Sequence, residues 1–580
     1  MCGILGELSL NKIDETIFKS NLLKLNHRGP DDYGVYFEEG IALGQTRLSI
    51  MDLSQDGHQP MISNCGDYVI IYNGEIYNFQ EIKEELHQKG HSFHSHTDTE
   101  VILNGYIEYK ENIVSKLNGM FSFSIYNKVT KELFLARDRS GIKPLYYFDK
   151  KGFAFSSELK TLKKYSERVN LDAKILFLLL GYVPEPITIY EDILIFPAGY
   201  YGFYKNNGLE LFKYDEYKYV PKIIKPYKEI VSDTSKLFHN AIKRQLVSDA
   251  PIGIFLSGGL DSSAITAVAT KYKENVKTLS LIFDDNNLSE GYYQNLMVAK
   301  YGTKHTNFLI DENMFLSSID DFLNSMEQPT IDGLNTFFVS KAAKECGLKT
   351  VLSGIGGDEI FYGYSSFKSA KTLKFLSMIP YSLIKIFKYS NKYKKLELLN
   401  AEKELAFYLP KRALFSPTEI ADILKVDKLK IYHLIVNLHK IYSLPNISKI
   451  EDKVSFYELN LYMKNQLLRD SDLFGMHHSL EIRIPFLDTE LVDYILRVDP
   501  KEKFGQYNKK ILSDISKDIL PSQIIKRPKK GFELPFKSWF LNNIDKFNVD
   551  KKTKINFKNG DLTWSRVWAL LIIGKFDEKL

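Results

Sequence analysis

At Pro251–Leu256 a short apolar run breaks into Ser257-Gly-Gly-Leu-Asp-Ser-Ser263, and a helical pattern follows through Tyr272. Strand, glycine loop and helix in that order confine this part of the chain to a parallel α/β sheet, with the loop at the carboxyl edge. Thr278–Phe283 and Thr350–Leu352 read as further strands and Tyr292–Tyr301 as an intervening helix, which extends the alternation. The loop glycines allow backbone N–H groups to approach phosphate oxygens, and the helix start adds positive partial charge. No Lys follows the glycines as in a Walker A loop, so γ-phosphoryl transfer is not the expected chemistry.

The first 160 residues follow a different pattern. Short apolar runs at Tyr68–Tyr72, Met120–Tyr126, Leu133–Ala136, Leu145–Phe148 and Phe153–Ser156 lie between Gly, Asp and Asn turn signals, with helical patterns at Glu81–Lys89 and Thr99–Tyr109. This predicts a layered sheet-and-helix unit. Aperiodic Lys-, Tyr- and Pro-rich text at Asn206–Lys228 sets the expected division into residues 1–210 and 225–560. From Phe367 to about Asp470 the pattern is helical, and Lys371–Leu399 reads as an amphipathic surface helix.

Composition narrows the functional classes. A hydrophobic fraction of 44% over 580 residues excludes a disordered chain, and the 77 basic against 72 acidic residues leave only +5, too weak to imply a nucleic-acid partner. No apolar run approaches the ~18 residues that span a bilayer, so no membrane partner is expected. Three cysteines (Cys2, Cys65 and Cys346) and no secretory leader point to a reducing compartment and a cytoplasmic protein.

Cys2 follows Met1, and its small size permits removal of the initiator, leaving a thiol and a free α-amine on one residue. At pH 7 an α-amine is in its free-base form roughly a few hundred times more often than a lysine, so it can take a proton from the neighbouring thiol. Downstream lie His27-Arg-Gly-Pro-Asp31, Arg47-Leu-Ser-Ile50, Asn73-Gly-Glu-Ile-Tyr-Asn78, Thr97-Asp-Thr-Glu100, Arg137-Asp-Arg-Ser-Gly-Ile-Lys-Pro-Leu145 and Ser156-Ser-Glu-Leu-Lys160. In isolation Asn73-Gly74 reads as a hairpin turn. As an ordered set, these segments resemble the N-terminal-nucleophile glutamine amidotransferase domain across nearly all of residues 1–200.

The later segments extend the resemblance. Ser257–Ser263, Ser353-Gly-Ile-Gly-Gly-Asp-Glu359, Gly475-Met-His-His-Ser-Leu-Glu-Ile-Arg-Ile-Pro-Phe-Leu-Asp488, Lys509-Lys-Ile-Leu512 and Arg527-Pro-Lys-Lys-Gly-Phe532 are similar to the ATP-pyrophosphatase half of glutamine-dependent asparagine synthetases. The resemblance implies an N-terminal layered α/β/β/α hydrolase domain (α+β), then a parallel-sheet α/β domain of the adenine-nucleotide α-hydrolase type with a helical C-terminal part.

It also implies residue roles. Cys2 would attack glutamine, with Asn73 and Gly74 as the oxyanion hole, Arg47 on the α-carboxylate, and Asp98 and Glu75 on the α-ammonium. Phe255, Ser257, Gly258, Gly259, Asp261, Ser262, Ser263, Leu281, Ser353 and Gly354 would bind ATP. Asp261 and Asp358 would hold Mg²⁺, and Lys509 would stabilise the adenylation transition state. The implied substrates are glutamine, ATP and aspartate, and a homodimer is expected by the same resemblance. His477 and His478 lack neighbouring ligands at metal spacing and read as packed or hydrogen-bonded histidines.

One position departs from the family. Ile355 stands where studied members carry a Glu in the second loop, and Glu327–Thr336 does not match their acceptor-side text. This leaves open amidation of another carboxylate, such as a uronic acid of a surface polysaccharide. Internal β-lactam closure, a tRNA-modifying enzyme and a non-catalytic relative are the remaining alternatives, and the complete Cys2, Arg47, Asn73 and Asp98 set disfavours them.

Overall fold

The computed structural model describes residues 2–9, 11–166, 168–284, 290–379, 391–529 and 535–578. The strands are β1 (Cys2–Leu8), β2 (Asp32–Glu38), β3 (Ile41–Arg47), β4 (Met61–Ile62), β5 (Tyr68–Ile76), β6 (Gly119–Asn127), β7 (Glu132–Arg137), β8 (Tyr146–Asp149), β9 (Phe153–Ser156), β10 (Ile193–Ile195), β11 (Tyr200–Lys205) and β12 (Gly208–Lys213). They form two six-stranded sheets, ordered β10-β8-β9-β1-β3-β2 and β12-β11-β7-β6-β5-β4. All strand pairings within both sheets are antiparallel.

Alternation along β5 shows why the layers form. Val69 and Ile71 pack with Ile4 and Leu43 between the sheets, whereas Ile70 and Tyr72 pack outward against Ile82, Leu86, Val101 and Ile102. Those last four lie on the helices Phe79–Gln88 and Asp98–Tyr109. On the other side, the helix Glu15–Leu23 places Phe18 and Leu22 against Leu5 and Ala42. Both faces of each sheet are thereby covered, so the strands read as continuous apolar runs rather than alternating ones. The expected α/β/β/α order is present.

The second half is built on β13 (Ile252–Phe255), β14 (Lys277–Phe283), β15 (Lys304–Ile310), β16 (Thr350–Leu352) and β17 (Glu481–Arg483), ordered β15-β14-β13-β16-β17. Every pairing in this sheet is parallel. From β13 the chain proceeds outward through β14 and β15, then returns to place β16 on β13's other side. The order reverses between β13 and β16, and a crevice opens at such a switch point, outside the carboxyl ends of the strands. The loops after β13 and β16 are the two glycine-rich segments.

Three expectations shift. Strand β12 carries the antiparallel sheet to Lys213, past the expected boundary at 210. The helix Leu171–Leu180 belongs by sequence to the first unit, yet its side chains join the large core of the second, and the Leu179 and Leu178 carbonyls accept from the Leu414 and Phe415 amides. Lys371–Leu399 is not one continuous helix: the helix Ser365–Leu376 ends early, residues 380–390 lie outside the described residues, and a 3₁₀ segment covers Asn391–Asn400. No helix among the described residues is long and apolar enough to cross a membrane.

Candidate active sites

The first site forms at one end of the β-sandwich. Cys2 opens β1 opposite Arg47 on β3, and Asn73 reaches it from β5 in the other sheet. Asn73 therefore lies within a strand, not in a hairpin turn; burial of both strand faces overrides the local Asn-Gly turn preference. A Cβ on Gly74 would fall 2.2 Å from the Met120 carbonyl oxygen, so close approach of β6 requires glycine there.

The Cys2 N–H donates to Asn73 Oδ1 at 3.0 Å. Because that partner is a donor, the amide oxygen is fixed on the Cys2 side. Asn73 Nδ2 is then a fully buried donor without a hydrogen-bond partner. Such an orphan costs about 1–3 kcal/mol when nothing meets it, which suits a donor reserved for a transient oxyanion. Burial raises the Cys2 thiol above its ordinary value.

Asp98 begins the helix Asp98–Tyr109, and its Oδ2 accepts from Tyr72 Oη at 2.8 Å and from the Ile76 N–H at 2.9 Å. Burial nevertheless pushes its carboxyl up. Arg47 is turned into the loop 51–57: Nη1 donates to the Ser54 carbonyl at 2.9 Å, and Nη2 donates to that of Asp52. Both ends of its fork are committed, so a bidentate grip on a carboxylate requires this loop to shift. Glu75 also departs from expectation. Its carboxylate sits 3.2 Å from Arg483 Nη2 of the second half, so Arg483 takes up the side chain expected to meet an ammonium group.

The second site is a cavity of about 510 Å³ at the β13/β16 switch point. Phe255, Ser257, Gly259, Asp261 and Ser262 line it from the first loop and its helix, Leu281 from β14, and Ser353, Gly354 and Asp358 from the second loop. Ser257 and Ser262 hydroxyls lie 3.0 Å apart and brace the loop. Two expected contacts are displaced. Ser263 lies in the helix Leu260–Ala269, fully buried and away from the cavity lining, because its position faces the sheet core. Gly258 has φ +73° and also lies outside the lining; its carbonyl accepts from Arg527 Nη1 at 3.1 Å.

Lys509 lies between the two acids, hydrogen-bonded to Asp261 and 2.7 Å from Asp358 Oδ1. Lys529 approaches the other Asp358 oxygen at 2.5 Å. Despite burial, the two carboxylates push the Lys509 ammonium up, while Lys509 and Lys529 hold Asp358 down. Asp261 Oδ1 is buried without a hydrogen-bond partner. Two converging carboxylates with one uncommitted oxygen suit a divalent cation that completes its shell with phosphate oxygens and water. The sequence resemblance singled out Lys509 but gave no site role to Lys529, whose position in Arg527-Pro-Lys-Lys carries no local signal of the distant Asp358.

A buried polar seam joins the sites. Arg28 Nε donates to the Cys2 carbonyl at 3.1 Å, Nη1 to Glu158 at 3.0 Å, and Nη2 to Asp472 of the second half at 2.8 Å. Lys143 lies 3.3 Å from the other Asp472 oxygen, and Ser471, the preceding residue, lines the 510 Å³ cavity. The histidines are packed as expected. His477 meets Asp321 at 3.2 Å, and His478 lies against Phe337 with burial pushing its imidazole down to about 3. Among the described residues, no group of three metal-ligating side chains is found.

Residues 1–217 match the family model described as glutamine amidotransferase domain, and residues 233–555 match that of asparagine synthase. The chain is 30% identical over 570 residues to asparagine synthetase [glutamine-hydrolyzing] 1 of Bacillus subtilis, covering 94% of this chain and 89% of that one. A putative asparagine synthetase [glutamine-hydrolyzing] 2 of Methanocaldococcus jannaschii is 36% identical over 412 residues, 66% of this chain and 79% of the relative. The Gibberella zeae protein named amidase chry2 is 25% identical, covering 94% and 89% respectively.

Proposed function

The chain belongs to the asparagine synthase family, the ATP-dependent ligases with a glutamine amidotransferase domain, and we propose that it makes asparagine from aspartate, ATP and glutamine. The observation that carries this reading is the seam through Arg28, which bonds the Cys2 carbonyl on one side and, through Asp472, adjoins the cavity-lining Ser471 on the other. A hydrolase and an adenylating enzyme with unrelated substrates would gain nothing from so direct a buried link.

In the first half, the Cys2 thiol passes its proton to the α-amine freed by loss of Met1 and attacks the glutamine amide carbon. Asn73 Nδ2 and the Gly74 N–H receive the oxyanion, the α-ammonium returns the proton to the departing nitrogen so that ammonia leaves, and water releases glutamate from the thioester. Asp98 holds the substrate ammonium, and Arg47 binds the carboxylate once the loop 51–57 moves. In the second half, the glycine loop and the start of the helix Leu260–Ala269 hold the ATP phosphates. The aspartate β-carboxylate attacks the α-phosphorus, pyrophosphate departs, and ammonia displaces AMP from the acyl adenylate.

Asp261 and Asp358 would hold Mg²⁺, which when bound neutralises charge on the phosphates. Lys509 remains protonated beside them and offsets charge on the departing pyrophosphate. Ammonia is nucleophilic only when unprotonated, so delivery through a boundary closed to bulk water serves the chemistry. A homodimer is part of the same reading, by family resemblance.

The test is the Cys2→Ala variant assayed with each nitrogen source. Asparagine formation from glutamine is expected to vanish while that from ammonium chloride persists, and equal loss of both would refute the division of labour.

A further inference from the structure

Ile355 lines the 510 Å³ cavity, so the family's loop carboxylate is replaced there by a side chain that carries no charge and forms no hydrogen bond. Selection of the acceptor must come from other residues of the wall. Charge balance locates one. Among the described residues, three cationic side chains line the cavity, and each has a carboxylate: Lys509 is shared between Asp261 and Asp358, Lys529 meets Asp358, and Arg527 meets Glu290. Two lining carboxyl groups remain. Glu359 is 1% exposed, and its carboxyl is already engaged by Tyr364 Oη, which donates to it at 2.7 Å.

Asp332 is the other. It precedes the helix Leu334–Glu345, its Oδ1 accepts from the Gly333 N–H at 2.9 Å, and its own N–H donates to Thr330 Oγ1 at 3.2 Å. Among the described residues, no salt bridge reaches it. The chain cannot relax away from this arrangement, because Gly333 has φ +90° and a Cβ there would fall 2.1 Å from the Phe474 ring. A second feature of the same wall also awaits a ligand. Ser471 is 3% exposed, and its Oγ is buried without a hydrogen-bond partner. Thr336, in the first turn of the helix Leu334–Glu345, lines the cavity beside Asp332, at the helix end that carries positive partial charge.

A carboxyl group that no cation meets, next to a helix start in a cavity whose described cations are already paired, suits a zwitterion: ammonium on the carboxyl, carboxylate on the helix end. We propose that Asp332 receives the α-ammonium group of the acceptor, so that the enzyme selects an amino acid rather than a plain carboxylic acid or a sugar acid. This rests on the reading of the chain as an amide ligase acting on aspartate and names the residue that recognises it.

The test compares pyrophosphate release from Mg-ATP and ammonium chloride, driven by L-aspartate, succinate or D-glucuronate, in the full-length protein and in Asp332→Asn and Asp332→Glu variants. Loss of a charge-assisted contact predicts that the aspartate KM rises roughly 10- to 100-fold in Asp332→Asn. The ATP KM should hold, the preference for aspartate over succinate should collapse, and Asp332→Glu should restore part of it. The unchanged ATP KM reports that the cavity is folded. An unchanged aspartate KM with asparagine still formed overturns the proposal and leaves the ligase reading intact. Turnover of succinate or glucuronate by the unsubstituted protein as fast as aspartate also overturns it. No response to aspartate removes both.

Discussion

Arg483 places its Nη2 3.2 Å from Glu75 Oε2, while its backbone carbonyl accepts from the Ser353 N–H at 2.9 Å. One fully buried residue thus touches the strand that carries Asn73 and Gly74 and also fixes the start of the second glycine loop. Its Nε donates to Glu481 at 2.6 Å, so two carboxylates depend on it. Despite burial, those two acids push its guanidinium up, so it remains charged.

Removing the Arg483 side chain would leave Glu481 buried without its cation, at a cost of about 3–5 kcal/mol, and would remove the charge that opposes the upward push of burial on Glu75. Arg483→Met is expected to lower the thermal midpoint clearly. In a cycle with Glu75→Gln, the double variant should lose less than the sum of the singles by at least ~1 kcal/mol. Strict additivity in chemical denaturation would show that the pair is not coupled.

Asn73 has two separable tasks, one for each amide atom. Asn73→Asp retains an oxygen that accepts from the Cys2 N–H but loses the buried Nδ2 donor. The kcat for glutamine hydrolysis should fall about 100- to 1000-fold, as for loss of one oxyanion donor. Synthesis from ammonium chloride should persist. A fall in KM affinity alone, with kcat maintained, would assign Asn73 to binding rather than to the oxyanion.

Asp470 carries a pH signature in stability. It is 2% exposed, accepts from Thr330 Oγ1 at 2.6 Å, and is pushed up to about 7 by burial first and by nearby Asp332. With its folded value above its unfolded value, the contribution of this carboxyl to stability is fully present at low pH. It is lost as pH rises from about 4 through 7. Asp470→Asn keeps an acceptor for Thr330 and does not ionise. Its stability relative to the unsubstituted protein should therefore improve between pH 5 and pH 8, by on the order of 2–3 kcal/mol. A difference in unfolding midpoint that does not change with pH would contradict this origin.

These tests divide along the line between local and distant information. The loop Ser257–Ser263 was legible because strand, glycines and helix follow one another directly, and their order dictates the switch-point crevice. The layered first half was legible for a similar reason: apolar runs such as Tyr68–Tyr72 reflect burial of both sheet faces. Asn73-Gly74 was open to a turn reading because strand β5 continues past its apolar stretch, and its polar residues are buried by other parts of the chain. Ser263 looked like a phosphate ligand by its place in the text, but the helix turn sends it into the core. Glu75 with Arg483 and Arg28 with Asp472 join residues more than 400 positions apart, Lys529 with Asp358 residues 171 apart, and nothing in the neighbourhood of either partner signals the other. Asp332 carries no local signal in Thr330-Ile-Asp-Gly333, and only the pairing of the charges around the cavity sets it apart.

The most direct test of the central claim is pyrophosphate release from Mg-ATP and glutamine, with and without L-aspartate, with the amidated product identified by mass. Aspartate-dependent release is expected, with asparagine, glutamate and AMP formed in equal amounts. Glutamine hydrolysis that proceeds while aspartate elicits neither pyrophosphate nor asparagine would contradict it.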